Sequence, residues 1–95
     1  MKIATWNIER LKDLKNLIPV VENIQKINAD ILVLTEFDNL VELPFYEFKT
    51  ETLKLPKKPY GYRETERRVA IFSKFPIIKT FKTYDEMTSC CAEIQ

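Results

Sequence analysis

Hydrophobic and polar residues alternate through Lys2–Ile8, so Ile3, Thr5 and Asn7 face one way and Ala4, Trp6 and Ile8 the other. A period of two predicts a strand. The charged stretch from Glu9 to Lys15 is expected to be a loop or short turn. Beyond it, Leu14, Leu17, Ile18, Val21, Ile24 and Ile27 draw one apolar stripe at helical spacing. Pro19 fits only in a first turn, where backbone N–H groups have no partner within the helix. Asn16 as N-cap would put it there, and Asn28 marks the expected end. The run Ile31-Leu32-Val33-Leu34-Thr35 is apolar at nearly every position. Such a run predicts a central strand covered on both faces. Strand, helix and strand together make a βαβ unit, whose parallel strands end on the same edge. Asn7 and Glu36, at the two strand ends, are then expected to converge.

The rest is less regular. Phe45, Tyr46 and Phe48 form an aromatic cluster that reads as core or interface. Lys54 to Tyr62 is a loop by its prolines and its glycine, and Arg63 to Arg68 is a dense charge run. Val69–Phe72 reads as a strand, Ser73–Pro76 as a turn, and Ile77–Phe81 as a strand pairing with its predecessor. The stretch from Cys90 to Gln95 predicts one more. No internal repeat or linker interrupts the 95 residues, which allow one small domain.

Composition narrows the chemistry. The chain is 45% hydrophobic and 31% charged, and its 15 basic and 14 acidic residues leave a net charge of +1. Nothing global draws it to nucleic acid or membrane, so any anion site must be local. No apolar run approaches the roughly 18 residues of a bilayer span, and Met1-Lys2 lead directly into the first strand without a signal sequence. The cytoplasm is the expected location. Cys90 and Cys91 are adjacent and expected to be free thiols, because bridged cysteines need Cα atoms about 5.5 Å apart. One glycine, Gly61, excludes a glycine-rich phosphate loop. Phosphate chemistry here would rest on side chains and metal.

Glu36 is a candidate for that role, since hard divalent cations take carboxylate oxygens and keep several waters. Helix capping and simple solvation are its alternatives. Asp38 could join it at the same edge or could close a turn with Asn39. Asn7 could hold a phosphate oxygen or a metal-bound water, or could bond its own backbone in a turn. Lys57, Lys58 and Tyr60, with Arg68 beyond them, could grip a nucleic-acid strand by charge and stacking; a solvated loop is the alternative.

Three strings carry a resemblance: Lys2-Ile3-Ala4-Thr5-Trp6-Asn7-Ile8, Ala29-Asp30-Ile31-Leu32-Val33-Leu34-Thr35-Glu36, and Val69-Ala70-Ile71-Phe72-Ser73-Lys74-Phe75-Pro76-Ile77. Their order and separations resemble the N-terminal part of the endonuclease/exonuclease/phosphatase superfamily, the family of deoxyribonuclease I and exonuclease III. The resemblance implies that residues 1–95 form a single partial domain of mixed α+β class, the start of a four-layer β-sandwich with outer helices. It implies hydrolysis of a phosphodiester or phosphomonoester, as a nuclease or a phosphatase, with Mg²⁺ or Mn²⁺ as cofactor. In that scheme Glu36 binds the metal, and Asn7 assists at the metal and the scissile phosphate. Lys57, Lys58, Tyr60 and Arg68 would touch a nucleic-acid or phosphate-ester substrate.

The departures are equally specific. The family's Asp-x-Asn motif and late Asp-His pair do not occur here, and the chain has no histidine to activate water. Arg67-Arg68 stands where many relatives have glycine. The chain alone is therefore expected to be inactive. The alternative function is a non-catalytic assembly module, whose exposed apolar sheet face drives homo-oligomerisation or pairs with a C-terminal portion of the domain.

Overall fold

A computed structural model describes residues 1–9 and 13–95. It has a four-stranded sheet, one α-helix and a separate two-stranded ribbon, which is a mixed α+β architecture. The strands are β1 (Ile3–Asn7), β2 (Ile31–Asp38), β3 (Phe48–Glu51), β4 (Glu66–Ser73), β5 (Ile77–Phe81) and β6 (Cys91–Ile94); the helix is α1 (Leu17–Ile27). A short 3-10 turn at Leu14–Asn16 leads into α1, and the earlier part of the expected loop, residues 10–12, lies outside the described residues.

The sheet order is β1-β2-β4-β3. β1 and β2 pair in parallel, with Ile3 opposite Ile31 and Asn7 opposite Thr35. The expected βαβ unit is therefore present, and α1 is its crossover. β4 is antiparallel to both β2 and β3. β5 pairs with β6 rather than with its predecessor β4. The Ser73–Pro76 segment carries the chain off the sheet: the Ser73 hydroxyl both donates to the Phe75 carbonyl and accepts the Phe75 N–H. A local clasp of this kind leaves no two-residue hairpin to return β5 along β4.

Pro19 is the third residue of α1, where it has no intrahelical bond to lose. Asn16 stands at the N-cap but makes no side-chain capping bond, because its backbone is already helical (φ −84°, ψ −6°). Asn28 closes the helix in the left-handed conformation and donates its N–H to the Ile24 carbonyl, a position asparagine tolerates well. Val20 and Ile24 are buried, with Leu17 and Val21 packed beside them. Ile18, expected in the stripe, is 68% exposed, since one residue turns the helix by roughly 100° and carries it off the buried face.

One face of the sheet is covered. Leu32, Leu34 and Phe37 of β2 and Ala70 and Phe72 of β4 pack under α1 with Val41, Leu43 and Tyr46. Tyr46 is core, as expected of its cluster; its hydroxyl donates to the Ala29 carbonyl at 2.8 Å. Phe45 lies at the rim and Phe48 opens β3. The opposite face is not covered. Thr5, Val33, Ile71 and Thr50 form a row across all four strands, with Asn7, Thr35 and Val69 above it. These residues are exposed or half-buried, so β2 is central but covered on one side. The smallest dimension of the molecule, 17 Å, matches this single sheet-and-helix stack.

The end of the sheet away from Asn7 and Glu36 is tied down. The Lys2 backbone N–H donates to the Asp30 carboxylate at 2.7 Å, and the Lys2 carbonyl accepts the N–H groups of Asp30 and Ile31. The Lys2 ammonium reaches the Ile27 carbonyl, the Lys74 N–H reaches the Asp30 carbonyl, and the Lys74 ammonium reaches the Asn28 side chain.

Candidate functional site

Parallel pairing brings the two strand ends together although Asn7 and Glu36 are 29 positions apart in sequence. Asn7 lies opposite Thr35, and the Ile8 N–H still reaches the Thr35 carbonyl at 3.1 Å. Asn7 is exposed, and its Oδ1 accepts the Glu9 N–H at 2.9 Å. The turn-closing alternative is thus realised, and the amide NH₂ remains as a donor.

Glu36 sits at an irregularity. Leu32 and Leu34 are buried at alternate positions, and strict alternation would bury Glu36 next; instead Phe37 and Asp38 are buried and Glu36 is half-buried. Its backbone supplies the reason. Glu36 has φ +47°, so one left-handed residue shifts the phase of the strand and takes its own side chain out of the core sequence. That conformation costs a non-glycine residue about 1–2 kcal/mol. Among the described residues the Glu36 carboxylate has no ion pair and no side-chain hydrogen bond.

Asp38 does not join Glu36. It is fully buried, pairs with Arg63 Nη2 at 2.8 Å, and accepts the Leu40 N–H at 2.9 Å. The turn reading is correct for this residue. Arg63 also lies 3.5 Å from the Glu66 carboxylate and donates its backbone N–H to it. The charge run is therefore a buried acid pair bridged by arginine at the start of β4, something a run of solvated charges conceals.

The basic-aromatic loop lies at the same edge. Thr35 pairs with Val69 and Phe37 with Arg67, which leaves Glu36 and Arg68 opposite one another. The Arg68 guanidinium lies 5.3 Å over the Tyr62 ring, and its Nη2 donates to the Tyr62 hydroxyl at 2.6 Å. Tyr60 stands 5.9 Å from Tyr62 and is 73% exposed. Lys57 approaches Glu64 at 3.9 Å, while Lys58 is exposed without an ion pair among the described residues. Glu64 also holds Lys54, and the hydrogen bond from that ammonium lowers its carboxyl pKa first, with the fields of Lys54, Lys57 and Arg67 adding to it.

A cavity of about 390 Å³ opens beside Asn7, between the end of β1 and the start of α1, and Trp6, Glu9, Asp13 and Asn23 help line it. Glu36 is not on its wall. The candidate pair therefore shares an edge without sharing a pocket. No cluster of three or more Asp, Glu, Cys or His occurs among the described residues. Cys90 and Cys91 are both free, and burial pushes the Cys90 thiol up. No helix among the described residues is long and apolar enough to cross a membrane.

Residues 4–94 match the Endonuclease/Exonuclease/phosphatase family. The chain belongs to that family. Over 79 residues it is also 32% identical to Nesprin-2 of Homo sapiens, a stretch that covers 83% of this chain and 1% of that protein. No solved structure matches it. Membership in the endonuclease/exonuclease/phosphatase family makes this a domain of the phosphoesterase and nuclease superfamily.

Proposed function

We propose that this chain is the N-terminal part of a Mg²⁺-dependent phosphoesterase domain, built as the start of a four-layer sandwich, with Glu36 as its metal carboxylate and Asn7 as its phosphate-side amide. The observation that carries this reading is Glu36 itself: a carboxylate without an ion pair among the described residues, at φ +47°, one residue beyond the partner of Asn7. Strain held at a strand end beside a second polar group is a pattern of functional sites.

The donor set fits a hard, water-rich ion. One carboxylate with water in the remaining positions suits Mg²⁺ or Mn²⁺, whereas a structural zinc site needs four protein ligands. Bound there, the ion would supply charge stabilisation at the phosphate and leaving oxygens. Glu36 would anchor it, and the Asn7 NH₂ would orient a phosphate oxygen through a hydrogen bond while its Oδ1 stays committed to Glu9. No histidine in the chain can take a proton from water, so the 95 residues alone are inactive in this reading. Losing one member of a cooperating catalytic set removes most of the rate.

Mn²⁺ binding followed by electron paramagnetic resonance tests the assignment without activity. Glu36→Gln is expected to weaken binding tenfold or more, about 1.4 kcal/mol. Unchanged Mn²⁺ affinity in that variant would remove Glu36 from the site. Robust Mg²⁺-dependent cleavage by the isolated chain would overturn the claim of inactivity.

A second reading rests on the uncovered sheet face. The row Thr5-Val33-Ile71-Thr50 and its flanking Ile3, Ile31 and Val69 suit an assembly surface, for a second copy or for a C-terminal portion of the domain. Sedimentation of the chain as a stable monomer at tens of micromolar would count against it.

A further inference from the structure

Side chains of adjacent residues within a strand leave on opposite faces, which would set Cys90 and Cys91 apart. They do not share a strand. β6 begins at Cys91, so Cys90 stands before it and escapes its alternation. Both residues line one cleft of about 130 Å³ between β3 and the β5–β6 ribbon. Leu53 and Phe81 make its apolar part, and Glu51 and Glu86 line it too. Both thiols are free; Cys90 is half-buried and Cys91 exposed. Burial raises the Cys90 pKa, and the charges of Cys91 and Glu51 raise it further, which sets the Cys90 sulfur within their field. A half-buried thiol that holds its proton is a poor nucleophile. A thiophilic metal ion needs no thiolate beforehand, because its binding releases the proton.

The cleft offers these two sulfurs no third ligand. Among the described residues no group of three or more His, Cys, Asp or Glu could hold a metal ion, and the chain has no histidine. Glu51 is already engaged: it accepts two hydrogen bonds from Asn39 Nδ2, at 2.9 and 3.1 Å, and faces Lys49 at 3.5 Å and Arg67 at 3.9 Å. A structural zinc ion takes four ligands, and hard cations take oxygen. Two thiols without further donors suit a soft ion that accepts two-coordinate ligation, and soft thiolates select Cu(I). We propose that Cys90 and Cys91 form a two-thiolate site for Cu(I) in the cleft between β3 and the ribbon. On binding, two S–H bonds break and two Cu–S bonds form. Both protons leave to solvent, and neither copper nor sulfur changes oxidation state. The site is independent of the phosphoesterase reading, since neither Asn7 nor Glu36 lines this cleft.

Anaerobic titration of the 95-residue chain with Cu(I), in competition with bicinchoninate, tests the site. One Cu(I) per chain is expected, with a thiolate-to-copper charge-transfer band in the ultraviolet and release of both thiol protons. Cys90→Ser and Cys91→Ser should each weaken binding by about a hundredfold or more, since loss of an outer-shell partner alone costs roughly 10–100-fold. Neither cysteine belongs to the buried core, so both variants are expected to keep the circular dichroism spectrum of the parent. In the parent itself, Cu(I) should protect both cysteines from alkylation by iodoacetamide, read by peptide mass spectrometry; this readout needs no variant. No binding, unchanged affinity in either serine variant, protection of one thiol alone, or one Cu(I) shared between two chains in sedimentation would overturn the site. So would one tightly held Zn²⁺ that both variants lose, because zinc would then find further ligands in the cleft.

Discussion

The two faces of the four-stranded sheet are made by the same strands and have opposite fates. On one, Leu34, Phe37, Ala70 and Phe72 are fully or almost fully buried under α1 and the loop after β2. On the other, Val33, Val69 and Ile71 have similar apolar character and remain half-buried. Hydrophobicity of the residue is therefore a poor guide to its energetic weight here; what covers it decides. The folding energy is concentrated on the helix side, and the open side carries apolar surface that stabilises little within this chain.

Paired truncations would break this contrast if it is wrong. Phe37→Ala is expected to cost about 3–5 kcal/mol, enough to unfold a small domain of ordinary stability. Val33→Ala, one strand position from Leu34 but on the open face, should cost about 1 kcal/mol or less. Urea titration followed by circular dichroism compares them, and equal losses would mean that the open face is covered in solution.

The next largest effect concerns the acid pair. Arg63→Ala leaves the buried Asp38 carboxylate, among the described residues, with only the Leu40 N–H, and Glu66 with one fewer cation. A loss of about 2 kcal/mol is expected, less than for a wholly buried pair because Arg63 is partly exposed. Lysine at this position should recover only part of it, lacking the fork that reaches both acids.

Tyr46 sharpens the covered side through pH. Burial, and secondarily the Asp30 charge, raise its pKa above the usual tyrosine value. The folded state therefore keeps a proton that the unfolded chain gives up. This contribution is complete below the unfolded pKa of about 10 and is lost as pH rises from there through the folded value. Tyr46→Phe should flatten the alkaline fall in the melting temperature while costing about 1 kcal/mol at neutral pH, through the lost bond to Ala29.

The smallest expected change has the opposite sign. Glu36→Gly should stabilise the fold by up to about 1 kcal/mol, because glycine accepts φ +47° without steric cost. The same variant should lose Mn²⁺ affinity. Stabilisation together with lost metal binding is the signature of a residue kept in a strained conformation for its chemistry; destabilisation would show that the carboxylate serves the fold.

The βαβ unit was legible because each part repeats a strong pattern: the two-residue period of β1, the stripe of α1 and the apolar run of β2. The convergence of Asn7 and Glu36 followed from crossover geometry alone. Other features left no readable trace. Phe48-Lys49-Thr50-Glu51 is too short and too polar to stand out, and it forms β3 only because β4 offers it an edge. The charge run from Arg63 to Arg68 shows no pairing in the sequence, because Asp38 reaches Arg63 and Glu51 reaches Arg67 from distant positions. The left-handed turn at Glu36 has no glycine or asparagine to announce it. The partner of β5 depends on a clasp at Ser73 that periodicity does not encode.

The hydrogen bonds among Lys2, Ile27, Asn28, Asp30 and Lys74 bind the molecule like a book at its spine. Strand ends ordinarily fray first, yet here the amides of Asp30, Ile31 and Lys74 should be among the slowest to exchange. Opening motions are thereby polarised along β1, with their amplitude growing toward Asn7. The far end of β2 and β4 is held as well, by Arg63 between Asp38 and Glu66, so the freedom to open falls on the end of β1, whose register is held from the opposite end.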